Sequence, residues 1–402
     1  MARPMTARAE TALQGRPAIL GGAPAFPDGL SLVRPDLPDP EQVAADVRDI
    51  VESRQLTNGP RVRELEERIA AYVGVRHCVA VASCTLGLML VLRARGLAGD
   101  VVVPSFTFSA TVHAVAWNGL RPIFADVDAR TLTVSPETAR GAAGPGTAAV
   151  LATHVFGTPC EVEGLEEVAR EQGIDLVFDA AHALGSRHGG TPVGRFGTAE
   201  VFSLTPTKLV VAGEGGIIAT DDDDLAEACR MGREYGHPGD YDTRFIGLNA
   251  RMSEVHAALA LRSLNGLDER VAHRGALAER YRGLLSHLPG MAFPEVRPGD
   301  VSTYKDFSVL VDPDGFGVDA ACLGRSLAAE GIDTRRYYSP PVHTHRAYRD
   351  LPPAYLPVTD RVARRALTLP LWSEMSEDHV ARVAAAVARI QRYPEVAAAC
   401  AG

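Results

Sequence analysis

Between His77 and Asp179 the chain repeats one pattern: a short apolar run, a turn, then a longer segment with helical periodicity. The apolar runs are predicted as strands over 77–82, 101–103, 122–127, 149–154 and 175–178. The segments between them are predicted as helices over 86–92, 107–117, 136–143 and 162–172. Strands that are apolar on both faces need cover on both faces, and strands joined through helices run mostly parallel. The fold class is therefore α/β, with a large, mostly parallel sheet sandwiched by helices. In such sheets a ligand binds beyond the carboxyl ends of the strands. Ser83, Ser105 and Asp179 fall at such ends.

The flanking segments divide the chain into three parts. Residues 1–40 are rich in Pro and Gly and read as an irregular N-terminal arm, and 41–265 form the large domain. An interdomain helix and a small C-terminal α/β domain occupy 266–402. A long amphipathic helical stretch is predicted over 253–285. Phe307, Val309 and Val311 alternate as a half-buried strand does, 318–330 reads as a helix stopped by Gly331, and 332–338 reads as extended. The last helix sets Val380, Val383, Val387 and Ile390 on one face, with Ser376 as its N-cap.

Composition excludes several classes. At 402 residues, 46% hydrophobic and 23% charged, the chain suits a soluble protein with a sizeable core. No apolar run is long enough to span a bilayer, and residues 1–22 lack the apolar stretch of a signal peptide. A net charge of -9 gives no footprint for nucleic acid. The six cysteines are scattered without a Cys-x-x-Cys, which fits a reduced cytoplasm and no structural zinc. No dinucleotide, nucleoside-triphosphate or serine-hydrolase glycine motif is present. His343-Thr-His345 reads as a loop rather than a metal site, because no carboxylate or cysteine cluster supports it.

The chemistry centres on Glu200-Val-Phe-Ser-Leu-Thr-Pro-Thr-Lys208-Leu-Val-Val-Ala-Gly-Glu-Gly-Gly216. Pro206 puts Lys208 on a turn. The apolar flank Leu209, Val210 and Val211 suggests an amine held against an interior, where desolvation lowers its pKa and makes it nucleophilic. Gly213, Gly215 and Gly216 let the backbone pass close to another element. Three further clusters each carry two meanings. Ser83-Cys84-Thr85, between a strand and a buried helix, suits an anion seat or a plain helix cap. Asp179 suits a partner for a pyridine nitrogen or a cap for the next helix. Phe108 suits a ring over a flat cofactor or ordinary core.

Taken in order, these pieces resemble the DegT/DnrJ/EryC1/StrS sugar aminotransferases, which have the aspartate-aminotransferase-like fold of type I pyridoxal phosphate (PLP) enzymes. The likeness runs from Gly21-Gly-Ala-Pro24 through Thr57-Asn-Gly-Pro60, Val103-Pro-Ser-Phe-Thr-Phe108 and His154-Val-Phe-Gly157. It continues through Phe178-Asp-Ala-Ala-His-Ala-Leu-Gly185, Phe202-Ser-Leu-Thr-Pro-Thr-Lys208, Gly213-Glu-Gly-Gly216 and Gly247-Leu-Asn-Ala-Arg251. Gly331-Ile-Asp-Thr-Arg-Arg-Tyr-Tyr338 completes it.

The resemblance implies that Lys208 holds PLP covalently and that Asp179 partners its ring nitrogen. It implies that Phe108 stacks on the ring and that His182 lies beside the ring hydroxyl. Cys84, Thr85 and Ser203 match the phosphate seat. Asn249 matches a residue that reaches the phosphate from the other subunit, which implies a homodimer with shared sites. Arg251, Tyr338 and His343 fall on the substrate side. Two positions depart from the family's pattern: Cys84 replaces a usual glycine, and Tyr337-Tyr338-Ser339 replaces His-Tyr-Pro. The reaction implied is transfer of an amino group from L-glutamate to a nucleotide-linked keto-deoxysugar. Tyr304-Lys-Asp-Phe307 and the Tyr-Tyr pair resemble the enzymes of dTDP-4-keto-6-deoxyglucose. A 3-keto sugar, a keto-cyclitol and a catalytically idle PLP-binding regulator are the alternatives. The richness in Ala, Arg, Gly and Pro suits an antibiotic pathway in a high-GC genome.

Overall fold

A computed structural model describes residues 15–401, so the part of the predicted arm over 1–14 lies outside the described residues. The strands are β1 His77–Val81, β2 Asp100–Pro104, β3 Arg121–Ala125, β4 Thr147–Thr153, β5 Asp175–Asp179, β6 Arg187–His188, β7 Thr191–Pro192, β8 Ala199–Ser203, β9 Gly216–Thr220, β10 Met291–Ala292, β11 Phe307–Val311 and β12 Ala366–Leu369. The main sheet has seven strands in the order β1-β9-β8-β5-β4-β2-β3. Only β9 runs against its neighbours; β2, β3, β4, β5 and β8 pair in parallel. The carboxyl ends of β1, β2, β4, β5 and β8 therefore lie along one edge of the sheet.

Both faces are covered, as continuous apolar strands demand. On one face Leu88 and Val91 of the helix Cys84–Ala94 pack with Val81, Val103, Leu151 and Val177. On the other, Leu65 and Ile69 of the helix Pro60–Val73 pack with Phe202 and Ile217, and Leu165 of the helix Val162–Gln172 packs near Phe178. Each fully buried side chain of this size contributes about 1.5–3 kcal/mol.

The C-terminal part builds a second core. Here β10, β11 and β12 form a three-stranded antiparallel sheet. It is covered by the helices Leu267–Leu285, Ala320–Ala329 and Glu377–Gln391, with Tyr281 stacked on Phe307 at 4.7 Å. Ser376 caps the last of these in a reciprocal capping box with His379. The described part of the arm is tied to this core. The buried Glu330 carboxylate accepts from the backbone N–H groups of Ala18 and Ala25 and pairs with Arg389.

Several expectations change. The stretch over 253–285 is two helices, Glu254–Leu264 and Leu267–Leu285, because Asn265 turns extended and Gly266 takes a left-handed φ of 72°. Residues 332–338 form no strand; Ile332 and Arg335 make single bridges to Leu30 and Thr368. The helix Pro357–Arg365 and the C-terminal helix Glu395–Ala401 add to the elements expected from periodicity. The cysteines are not all free, as a reduced compartment would have them. The C-terminal helix packs on Ala320–Ala329 and brings Cys400 to Cys322 in a disulfide spanning 78 residues. No helix among the described residues is long and apolar enough to cross a membrane, and none of their His, Cys, Asp and Glu side chains cluster as a metal site.

Candidate active site

Strand ends of the large sheet meet segments of the second core around a cavity of about 370 Å³. Lys208, Asp179, His182, Cys84, Thr85, Ser203, Phe108 and Tyr338 all border it. Topology explains the convergence. Each of the first seven leaves, or closely follows, the carboxyl end of β1, β2, β5 or β8, and Tyr338 comes from the loop that crosses over from the small domain.

Lys208 sits where β8 gives way to a turn, with its backbone N–H on the carbonyl of Thr205 at 3.0 Å. Leu209, Val210 and Val211 behind it are buried, which leaves the half-buried amine facing the cavity. Burial, and then the nearby Lys305 ammonium, push its pKa down to about 8; Asp306, Cys84 and Asp179 pull the other way. A substantial neutral fraction near physiological pH is what a nucleophilic or proton-accepting amine requires.

Asp179 is buried at the end of β5. Its Oδ2 accepts from Thr111 Oγ1 at 2.7 Å and its Oδ1 from the backbone N–H of Ala181 at 3.1 Å. Thr107 links Thr111 to Thr153, so a chain of hydroxyls supports the carboxylate from behind. Burial raises its pKa, while Thr111, Ala181, Lys208 and His154 oppose the rise. Each carboxylate oxygen keeps a further lone pair for a cationic N–H. His154, on the next strand end, lies stacked on Phe178 at 4.7 Å and bonds the fully buried Glu200 at 2.8 Å.

The two meanings of Ser83-Cys84-Thr85 both hold. Ser83 caps the helix by accepting from the N–H of Leu86, while Cys84 and Thr85 of its first turn border the cavity. First-turn N–H groups lack intrahelical partners and favour an anion. Gly216 explains the glycine run downstream of Lys208. A Cβ there would lie 2.6 Å from the backbone nitrogen of Cys84, so only glycine lets β9 start against this turn. The side chain at Cys84, where the family has glycine, turns inward. Its thiol donates to the carbonyl of Val201 at 3.4 Å, and burial, with Asp179, keeps it protonated.

Phe108 precedes the helix Ser109–Trp117 and is 60% exposed at the cavity rim, where a ring of that size has apolar surface to share with a planar ligand. Tyr338 is buried against Phe106 and Phe156. A carboxylate, an amine, an exposed ring and a helix start around one cavity fit a flat, phosphorylated pyridine aldehyde.

Three assignments fall elsewhere. His343 does not border the cavity; Ser105 holds it at Nδ1 (2.7 Å) and at its backbone N–H (2.9 Å), which pins its loop to the end of β2. Asn249 and Arg251 are also outside this chain's cavity. Arg251 bonds Asn249 Oδ1 at 3.1 Å and Glu234 at 3.2 Å, beside the Tyr235 ring. Sequence reasoning passes over Thr111, whose only signal is position one helical turn after Thr107. It also leaves Lys305 and Asp306 without a role, although both border the cavity.

Known proteins match this arrangement. Residues 39–388 match the DegT/DnrJ/EryC1/StrS aminotransferase family. The erythromycin biosynthesis sensory transduction protein EryC1 of Saccharopolyspora erythraea is 36% identical over 341 residues, covering 83% of this chain and 92% of its own. The crystal structure of DesI with its TDP-sugar product is 40% identical, with a TM-score of 0.88 over 93% of this chain and 95% of DesI. DesV of S. venezuelae is 32% identical, with a TM-score of 0.82 over 88% and 95%. The chain belongs to the DegT/DnrJ/EryC1/StrS family, and it is a pyridoxal-phosphate-dependent aminotransferase with the aspartate-aminotransferase-like fold.

Proposed function

We propose that the enzyme transfers an amino group from L-glutamate to a nucleotide-linked keto-deoxysugar, with dTDP-4-keto-6-deoxyglucose as acceptor, for a secondary-metabolite amino sugar. The observation that carries this reading is the single cavity that joins the Lys208 amine and the buried Asp179 carboxylate to a second, polar wall at Lys305 and Asp306. The 40% identity to DesI, solved with a TDP-sugar product, supports the choice of acceptor.

Bound PLP supplies an electron sink for charge developing at the amino-bearing carbon. Asp179 holds the proton on the pyridine nitrogen, and Thr111 and Ala181 keep its carboxylate in place. Cys84, Thr85 and Ser203 would seat its phosphate, His182 would face its ring hydroxyl, and Phe108 would cover its ring, since all five border the cavity. The Lys208 amine takes the proton from the donor's Cα, as general base. Tyr338 closes the substrate side. Asn249 and Arg251, on the outer side of this chain, serve the cavity of a second copy in a homodimer. The exposed Tyr241 and Ile246 of the neighbouring loop support such a contact. The four free cysteines favour a cytoplasmic setting, against which the Cys322–Cys400 bridge counts.

The test is a panel of nucleotide-linked keto sugars incubated with glutamate and scored for amino-sugar product by mass. The dTDP-4-keto-6-deoxy sugar is expected to be aminated, with 2-oxoglutarate formed in equal amount. Absence of product with every keto sugar sinks the assignment. A non-catalytic regulator would leave the visible band of the bound cofactor unchanged on adding glutamate.

A further inference from the structure

The C-terminal helix Glu395–Ala401 is a weak element when taken alone. Seven residues fall well short of the roughly 12–15 that a free helix needs in water. Across residues 395–400 only Val396 is buried, and Ala397, Ala398 and Ala399 are exposed. One buried valine is a slender anchor against the entropy lost in ordering the segment. The rest of the hold is at the far end of the helix. There the Arg325 guanidinium donates to the Cys400 carbonyl at 3.1 Å, and Cys400 is bonded to Cys322. The helix packs on Ala320–Ala329, which carries Cys322, and on the arm segment Ala18–Leu20. Its docking therefore bears on the arm as well.

The bridge stands apart from the other cysteines. Cys78, Cys84, Cys160 and Cys229 are free and buried. A chain that leaves four of its six thiols unpaired is not stapled for an oxidising compartment. A single bridge in a reducing one is as a rule transient or redox-sensing. Cys322 is 5% exposed, whereas Cys400 is partly exposed, so Cys400 is where a small thiol arrives first.

We propose that Cys322–Cys400 is a reversible redox clip. Closed, it keeps the C-terminal helix and the arm segment on the second core; opened by a small thiol such as glutathione, it lets the helix leave. In opening, a glutathione thiolate attacks Cys400 to form a mixed disulfide, and Cys322 departs as a thiolate that takes up a proton. A second glutathione resolves the mixed disulfide. The protein gains two thiols while two glutathiones become one glutathione disulfide. Closure is the reverse, with glutathione disulfide as the oxidant. The bridge spans 78 residues, and closing so long a loop lowers the entropy of the released state. Neither cysteine borders the cavity, so the inference is independent of the choice of acceptor.

The test equilibrates the full chain, loaded with PLP, in buffers of reduced and oxidised glutathione. Thiols are then trapped with N-ethylmaleimide after denaturation and counted by mass. Four labels mean a closed clip and six an open one. The population is expected to pass from nearly all closed to nearly all open as the ratio of squared reduced to oxidised glutathione rises roughly a hundredfold. Hydrogen exchange on the same samples should then speed up at least about tenfold over 395–401 and 18–20. Cys400→Ser should exchange like the opened wild type at every ratio, and the opened wild type gives the same reading without a substitution. Six labels at every ratio overturn the proposal, because the bridge then never closes. Four labels in millimolar reduced glutathione overturn it too, because the bridge is then permanent. Label counts that switch with no change in exchange end it as well, because the bridge then holds nothing in place.

Discussion

The two buried carboxylates of the cavity are held on opposite terms. On the large-sheet wall, Asp179 already has a donor on each oxygen, and the Thr107–Thr111 hydroxyls stand behind it. On the small-domain wall, Asp306 keeps one buried oxygen without a partner, on a turn strained at Tyr304. A carboxylate that is satisfied in advance is held still, which suits a resident cofactor that every turnover reuses. The contrast belongs to the two carboxylates and not to the whole walls, since His182 Nδ1 on the sheet side is likewise buried without a partner.

The harshest test of the sheet wall is Lys208→Ala. Removing the amine presented there should cost at least about 10³-fold in amino transfer, within the usual span for a lost general base, read as amino-sugar formation. A variant close to wild type would dissolve the distinction between the walls. Next comes Arg274→Met, aimed at the other wall. It strips donors from the carbonyls of Thr303, Tyr304, Lys305 and Leu371 and should destabilise the protein by about 2–4 kcal/mol in urea denaturation. Acceptor-sugar affinity should fall more than PLP affinity. Equal losses of both would mean that Arg274 supports the whole cavity.

Acidity sharpens the contrast further. The neutral amine of Lys208 is the reactive form, and its pKa is lowered to about 8. Reloading of the PLP-free enzyme should therefore speed up as pH rises, gain about tenfold between pH 7 and 9, and level off above that. An ordinary lysine would keep accelerating toward about pH 10.4. Stopped-flow absorbance of the cofactor band decides between the two curves. The smallest effect belongs to Thr111→Val. Losing one donor to Asp179 should slow turnover about fivefold, roughly 1 kcal/mol, and leave acceptor affinity alone. A change in acceptor affinity would show that the walls are coupled.

Much of the sheet wall is legible in the sequence, because its groups sit at strand ends that local apolar runs reveal. Ser83, Asp179 and Lys208 each follow such a run or the turn that stops it. The break at Gly266 escapes periodicity because the apolar spacing continues across it, and only the extended Asn265 and the left-handed Gly266 interrupt the helix. The resemblance puts His343 on the substrate side but gives no direction for its side chain, and in the fold Ser105 holds it outside the cavity. The Cys322–Cys400 bridge is invisible for a related reason: it depends on two helices packing, not on any spacing.

The sequence by itself determined the α/β alternation, the family, the lysine on its turn and the acid at the end of β5, since each is written in neighbouring residues. Only the tertiary structure decided which groups from distant segments face one another. Thr111 reaches Asp179 across 68 positions, and His182 comes within 3.9 Å of Asp306, which precedes a strand of the second core. Such pairs are fixed by how helices and sheets pack, and packing depends on the summed shape of many side chains that no short stretch contains.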